Sequence, residues 1–113
     1  AHVNHPCSVW ARQSLGNFIW LYDHGMALAK EYTHRYGKVH KSQDVIQHCL
    51  KQWAQNDTVP LYDLKRTPHP LCMPDEYKTT DVVESYRSFY IGDKSRFAQW
   101  NKTRPAPQWW ANQ

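Results

Sequence analysis

The sequence predicts a mainly α, compact single-domain fold with a long Pro-rich strap and an aromatic C-terminal tail, residues 1–113 forming one helical domain. Three observations lead there. Apolar side chains recur at helical spacing along Phe18, Leu21, Tyr22, Gly25, Leu28, Ala29, Tyr32 and Tyr36, the 3, 4, 7 pattern of one buried helix face. Two further periodic stretches begin at residues that cap helices, Ser42 and Asp81. At 113 residues the chain has room for one core and no second.

The elements follow in order. Residues 1–13 form a lead-in, in which Pro6 bars helix at His5 and Ser8 caps at most a short turn carrying Trp10. A first helix, about 17–36, starts near Ser14 or Asn17 and ends at Gly37, which offers the left-handed conformation of a C-cap. A second, about 43–54, has Ser42 as N-cap, Asp44 in its first turn and Val45, Ile46, Cys49, Leu50 and Trp53 on one side. Residues 55–80 hold Pro60, Pro68, Pro70 and Pro74 and show no period, so they are expected to lie as a stiff extended strap over the helices. A third helix, about 81–91, opens on Asp81 with Glu84 three residues on. Val82, Val83, Tyr86, Phe89 and Tyr90 form its apolar side and Gly92 ends it. A short turn over Lys94–Trp100 leads into the tail, 101–113, which closes on Trp109-Trp110.

Composition narrows the function. Apolar residues make up 41% and charged residues 21%, which fits a folded domain. No apolar run approaches 18 residues, so no membrane partner is expected. Cys7, Cys49 and Cys72 are odd in number and widely spaced, which points to a reduced, cytoplasmic setting. The motifs GxSxG, GKS/T and GxGxxG do not occur, so hydrolase-elbow, P-loop and dinucleotide chemistry have no support.

A metal reading is weak. His2, His5 and Cys7 are crowded, and His48-Cys49 and His69-x-x-Cys72 lie downstream. Zinc sites want four N or S ligands, usually as two close pairs. Here Pro6 separates His5 from Cys7, and His48 and Cys49 diverge by about 100° on a helix. No metal and no cofactor are expected. The carboxylate pair Asp75-Glu76 follows Pro74 and reads as turn chemistry.

Basic and aromatic residues carry more. The net charge is +4 and aromatic residues make up 14%, six of them Trp. Arg35, Lys38, His40 and Lys41 gather around one helix end. Arg87, Lys94, Arg96, Lys102 and Arg104 form a second set, with Tyr90, Trp100, Trp109 and Trp110 between them. Lys and Arg hold phosphates and flat rings stack on bases, so interleaving the two suits a nucleic-acid surface. The competing expectation is a solvated helix end, with most rings in the core.

Many side chains recur in the order of a known pattern. They include His5-Pro6-Cys7, Trp10, Asn17-Phe18-Ile19-Trp20-Leu21 and the run Glu31-Tyr32-Thr33-His34-Arg35-Tyr36-Gly37-Lys38-Val39-His40. Met73-Pro74-Asp75-Glu76, Tyr86-Arg87-x-x-Tyr90-Ile91-Gly92-x-Lys94, Trp100-Asn101-Lys102 and Pro107-x-Trp109 complete the set. As a set they resemble a family of phage and viral proteins that is distantly similar to pyrimidine-dimer DNA glycosylases of the endonuclease V type. The resemblance implies a DNA-binding, DNA-repair-like domain of the glycosylase/AP-lyase class that excises a damaged or modified pyrimidine. It implies duplex DNA as partner, a basic face upon it, and Trp109 and Trp110 near the lesion. Members of that phage and viral family begin about 50 residues earlier, and in endonuclease V the N-terminal amine is the nucleophile, assisted by a carboxylate on the first helix. The resemblance therefore assigns no catalytic residue here, and a separate chain could supply that part. It also implies the cytoplasm of a phage-infected host cell. The alternative is a non-catalytic phage interaction protein that binds a host or virion protein through exposed aromatics.

Overall fold

The computed structural model describes residues 2–54, 65–100 and 105–111. The protein is mainly helical, with no strand among the described residues. The chain divides into two units, Ala1–Thr67 and Pro68–Gln113.

The first unit contains α1 (Pro6–Gln13), α2 (Leu15–Tyr36) and α3 (Ser42–Ala54). The first of these is longer than the turn expected at Ser8. Pro6 does not break it, because Pro6 sits in the first turn, where a helical N–H has no partner to lose. His5 closes that end, its Nδ1 accepting the Cys7 N–H at 3.1 Å. Ser14, extended at φ −154°, ends α1 and caps α2 in one residue. Its Oγ accepts the Asn17 N–H at 3.0 Å and donates to the Lys65 carbonyl at 2.7 Å. Gly37 ends α2 at φ 67°, its N–H donating to the Thr33 carbonyl. Ser42 is already helical rather than a cap residue, and the His40 Nδ1 accepts its N–H at 3.0 Å.

The centre of this unit is polar. Asn17 is fully buried. Its Nδ2 donates to the Trp10 carbonyl and to Thr67 Oγ1, and its Oδ1 accepts the Thr67 N–H, each at 2.9 Å. The Trp10 Nε1 donates to the Thr67 carbonyl at 3.1 Å. These bonds tie residues 65–67 onto α1 and α2, where Trp10 and Ala11 are buried, while the buried Ala29 lies about three turns further along α2. The first part of the expected strap, residues 55–64, lies outside the described residues.

The periodic face of α2 does not behave as a fully buried face. Leu28 is 60% exposed, Tyr36 58% and Val45 on α3 61%. Nor are most rings in the core: among the described residues Trp10 is the one buried aromatic, the others being half-buried or exposed.

The second unit is built on α4 (Val82–Lys94), with a 3-10 turn at Asp75–Tyr77, another at Ser95–Phe97 and the short α5 (Gln108–Ala111). The Asp81 side chain caps α4 by accepting the Glu84 N–H at 3.0 Å. Behind it Ser85 is fully buried, its Oγ donating to the Asp81 carbonyl and accepting from the Thr79 N–H, both at 2.8 Å. Tyr86 holds residues 70–72 against α4: its hydroxyl donates to the Pro70 carbonyl at 2.6 Å and accepts the Cys72 N–H at 3.3 Å.

Gly92 does not end α4, which runs on to Lys94. The glycine is explained by packing instead, since a Cβ there would lie 2.6 Å from the Tyr77 ring.

Candidate nucleic-acid interface

The second unit is electrically divided along its sequence. Asp75, Glu76, Asp81 and Glu84 come first, and from Arg87 onward five Lys or Arg stand against one acid, Asp93. On α4 the residues Val83, Arg87, Tyr90 and Lys94 are spaced by four, three and four, so they share one side of the helix. Val83 and Tyr90 are exposed there at 57% and 43%. Arg87 and Lys94 are two turns, roughly 10 Å, apart along this stripe, which spans about three phosphate steps of one B-DNA strand.

Each described cation of this set lies over a ring. The Arg87 guanidinium is 5.2 Å from the Trp109 centroid. Lys94 Nζ is 5.1 Å from Phe89 and 5.6 Å from Phe97, and 3.7 Å from the Asp93 carboxylate. The Arg96 guanidinium is 5.4 Å from Phe97. Trp109 meets Trp110 edge to face at 5.8 Å, and Trp110 meets Trp100 at 5.4 Å. Pro107 starts the turn that sets out these last rings, its carbonyl accepting the Trp110 N–H at 3.0 Å. Trp109 and Trp110 are half-buried, and Phe97 and Trp100 are exposed.

An exposed cation–π contact is worth about 0.5–1 kcal/mol. A base stacked on an aromatic ring is worth about 1–3 kcal/mol. A base stacked on one of these rings, with its phosphate on the cation, would offer more than the internal cation–π contact supplies. The arrangement is chemically suited to such a ligand.

The first basic set lies in the other unit and is less open. Arg35 is held by Glu31 one turn back, Nε to Oε2 at 2.8 Å. The His40 ring stands edge-on to Tyr32 at 4.8 Å. Lys38 and Lys41 are exposed. Lys102 and Arg104 lie outside the described residues. The Asp75-Glu76 pair sits in a 3-10 turn, where Lys78 Nζ is 2.9 Å from Asp75. That hydrogen bond, and the charge behind it, hold the Asp75 carboxyl below its ordinary value.

Two features were missing from the sequence expectations. Phe89 and Phe97 serve as ring partners for Lys94 and Arg96, and the stripe Val83-Arg87-Tyr90-Lys94 had a detectable signal in its helical spacing. Among the described residues no helix is long and apolar enough to cross a membrane. No protein-family model, curated protein or solved structure matches the chain.

Proposed function

We propose that this chain is a DNA-binding domain with a repair-like role, which grips the phosphate backbone with Arg87, Lys94 and Arg96 and offers Trp100, Trp109 and Trp110 to a base. The observation that carries the reading is the interleaving itself, with Arg87 over Trp109 and two more indole rings beside it. Its finer form, taken from the sequence resemblance, is removal of a modified pyrimidine in the manner of glycosylase/AP-lyases. In that chemistry an amine attacks the sugar carbon, the base departs with the bonding pair, and the resulting imine links protein to DNA. Reaching that carbon requires an extrahelical base, and aromatic rings of this kind favour the unstacked state.

Binding is tested by fluorescence anisotropy of a labelled duplex in a salt series. Three phosphate contacts give a slope of log K against log salt of about −3, and Arg87→Ala or Lys94→Ala each makes it shallower by about one. Absent or salt-independent affinity refutes the reading. Borohydride trapping on abasic and dimer-containing duplexes, beside an undamaged control, tests the excision chemistry separately. A covalent adduct supports it; binding without an adduct leaves a DNA-binding domain without lyase activity.

A further inference from the structure

Among the described residues from Arg87 onward, six aromatic rings accompany three cations, and Asp93 stands 3.7 Å from one of the three, Lys94. The rings fall into two groups, each with its own charge. Trp100, Trp109 and Trp110 form the first, with the Arg87 guanidinium 5.2 Å from the Trp109 centroid. Phe89 and Phe97 form the second, with Lys94 over both and Arg96 5.4 Å from Phe97. Tyr90 joins the second group, 5.9 Å from Phe89. We infer that this surface takes single-stranded DNA, a run of about four unpaired nucleotides, in preference to intact duplex. The inference rests on the DNA-binding reading above and narrows its ligand.

The number of ring platforms sets the preference. In a duplex each base is covered by its neighbours, so it reaches a ring only after it has been unpaired and unstacked. That cost is comparable with the gain of about five- to 150-fold in affinity that one base stacked on a ring supplies. In a single strand the base faces are already accessible, and the gain is kept at every ring a base meets. One base turned out of a duplex needs one platform, and here there are two. Arg87 and Lys94, which mark them, are roughly 10 Å apart along α4. Stacked bases rise by about 3.4 Å per step, so bases seated on both platforms are about three steps apart. In a duplex both would have to be turned out.

The rings are disposed to receive bases. Trp109 meets Trp110, and Trp110 meets Trp100, edge to face at 76° and 64°, rather than in parallel stacks that would cover whole ring faces. Phe97 is 56% exposed and Trp100 38%. Charge density agrees. A duplex carries one phosphate charge per about 1.7 Å of its axis, and one of its strands about half that density. Three cations, one of them beside an acid, suit the sparser array.

Fluorescence anisotropy of the full chain with a labelled oligonucleotide of about 12 nucleotides, alone and annealed to its complement, tests the inference. The single strand should bind at least about tenfold more tightly than the duplex. Its slope of log K against log salt should be about −2, from three phosphate contacts on a single strand. Phe97→Ala, and Trp109→Leu, which keeps apolar bulk without the flat ring, should each weaken single-strand binding about fivefold or more. Salt slope, duplex affinity and circular dichroism should stay unchanged in both. Affinity for oligothymidylates should rise steeply between about two and about five nucleotides, as the second platform comes within reach. Duplex binding equal to or tighter than single-strand binding overturns the inference and leaves the DNA-binding reading standing, whereas absence of binding to either overturns both. A single-strand preference that survives both substitutions in folded variants overturns the assignment to these rings.

Discussion

Asn17 holds the first unit together, and replacing it by Ala should cost more than most apolar truncations in this chain. The side chain is fully buried and makes three hydrogen bonds at 2.9 Å, to the Trp10 carbonyl, the Thr67 hydroxyl and the Thr67 N–H. A neutral hydrogen bond contributes about 1 kcal/mol net, and a buried group left unsatisfied costs about 1–3 kcal/mol. Two of the three abandoned partners are backbone groups with no rotamer to turn elsewhere. The expected loss is therefore about 3–4 kcal/mol, a large share of the roughly 5–15 kcal/mol that stabilises a small protein. With a urea m-value of about 1–3 kcal/mol/M, the midpoint followed by tryptophan fluorescence should fall by about 1–4 M. Asn17→Asp keeps an acceptor for Thr67 but turns a carboxylate toward the Trp10 carbonyl, so it should destabilise at least as much. A loss below about 1 kcal/mol for Asn17→Ala would mean that the bonds are replaced by water, and the polar core would not be the organising feature of this unit.

Three further outcomes follow from local geometry. Gly92→Ala should lower stability by about 1–2 kcal/mol in urea melts, since its Cβ overlaps the Tyr77 ring, yet raise it in a Tyr77→Ala background, where only the helix propensity of Ala remains. Gly37→Ala meets no neighbouring atom but is forced to φ 67°, so it should cost about 1 kcal/mol, and Gly37→Asn distinctly less. The Asp75 carboxyl, held low by Lys78, binds its proton less readily folded than unfolded. Its small contribution is present above the unfolded value and is lost as pH falls through the lower folded one. In an NMR titration Lys78→Ala should therefore move Asp75 up toward 3.8, and an unmoved resonance would dismiss the pairing.

What was legible in the sequence was what local chemistry decides. Ser14, Gly37 and Asp81 act within one turn of themselves, and each ends or begins a helix in the place its residue type suggests. The first helix was hidden for the same reason in reverse. His5 is not a usual cap, and Pro6, which does keep helix out of His5, stands itself at the first helical position, where proline is harmless. Gly92 misled because a glycine after a periodic run has two meanings, a C-cap or a close approach, and only the position of Tyr77 decides between them. The candidate site divides the same way. Arg87, Lys94, Arg96, Trp109 and Trp110 could be named from composition, but that Arg87 lies over Trp109 is a tertiary fact about residues 22 positions apart.

The open face of α2 and α3 shows where periodicity stops being informative. A 3.6-residue apolar repeat says that a helix has a side that avoids water, and it is silent on what covers that side. Chain length suggested that the answer had to be the rest of the same domain, yet Leu28 and Val45 remain about 60% exposed while a polar residue, Asn17, occupies the centre. The repeat was real, and the inference of an intramolecular core was the step that failed.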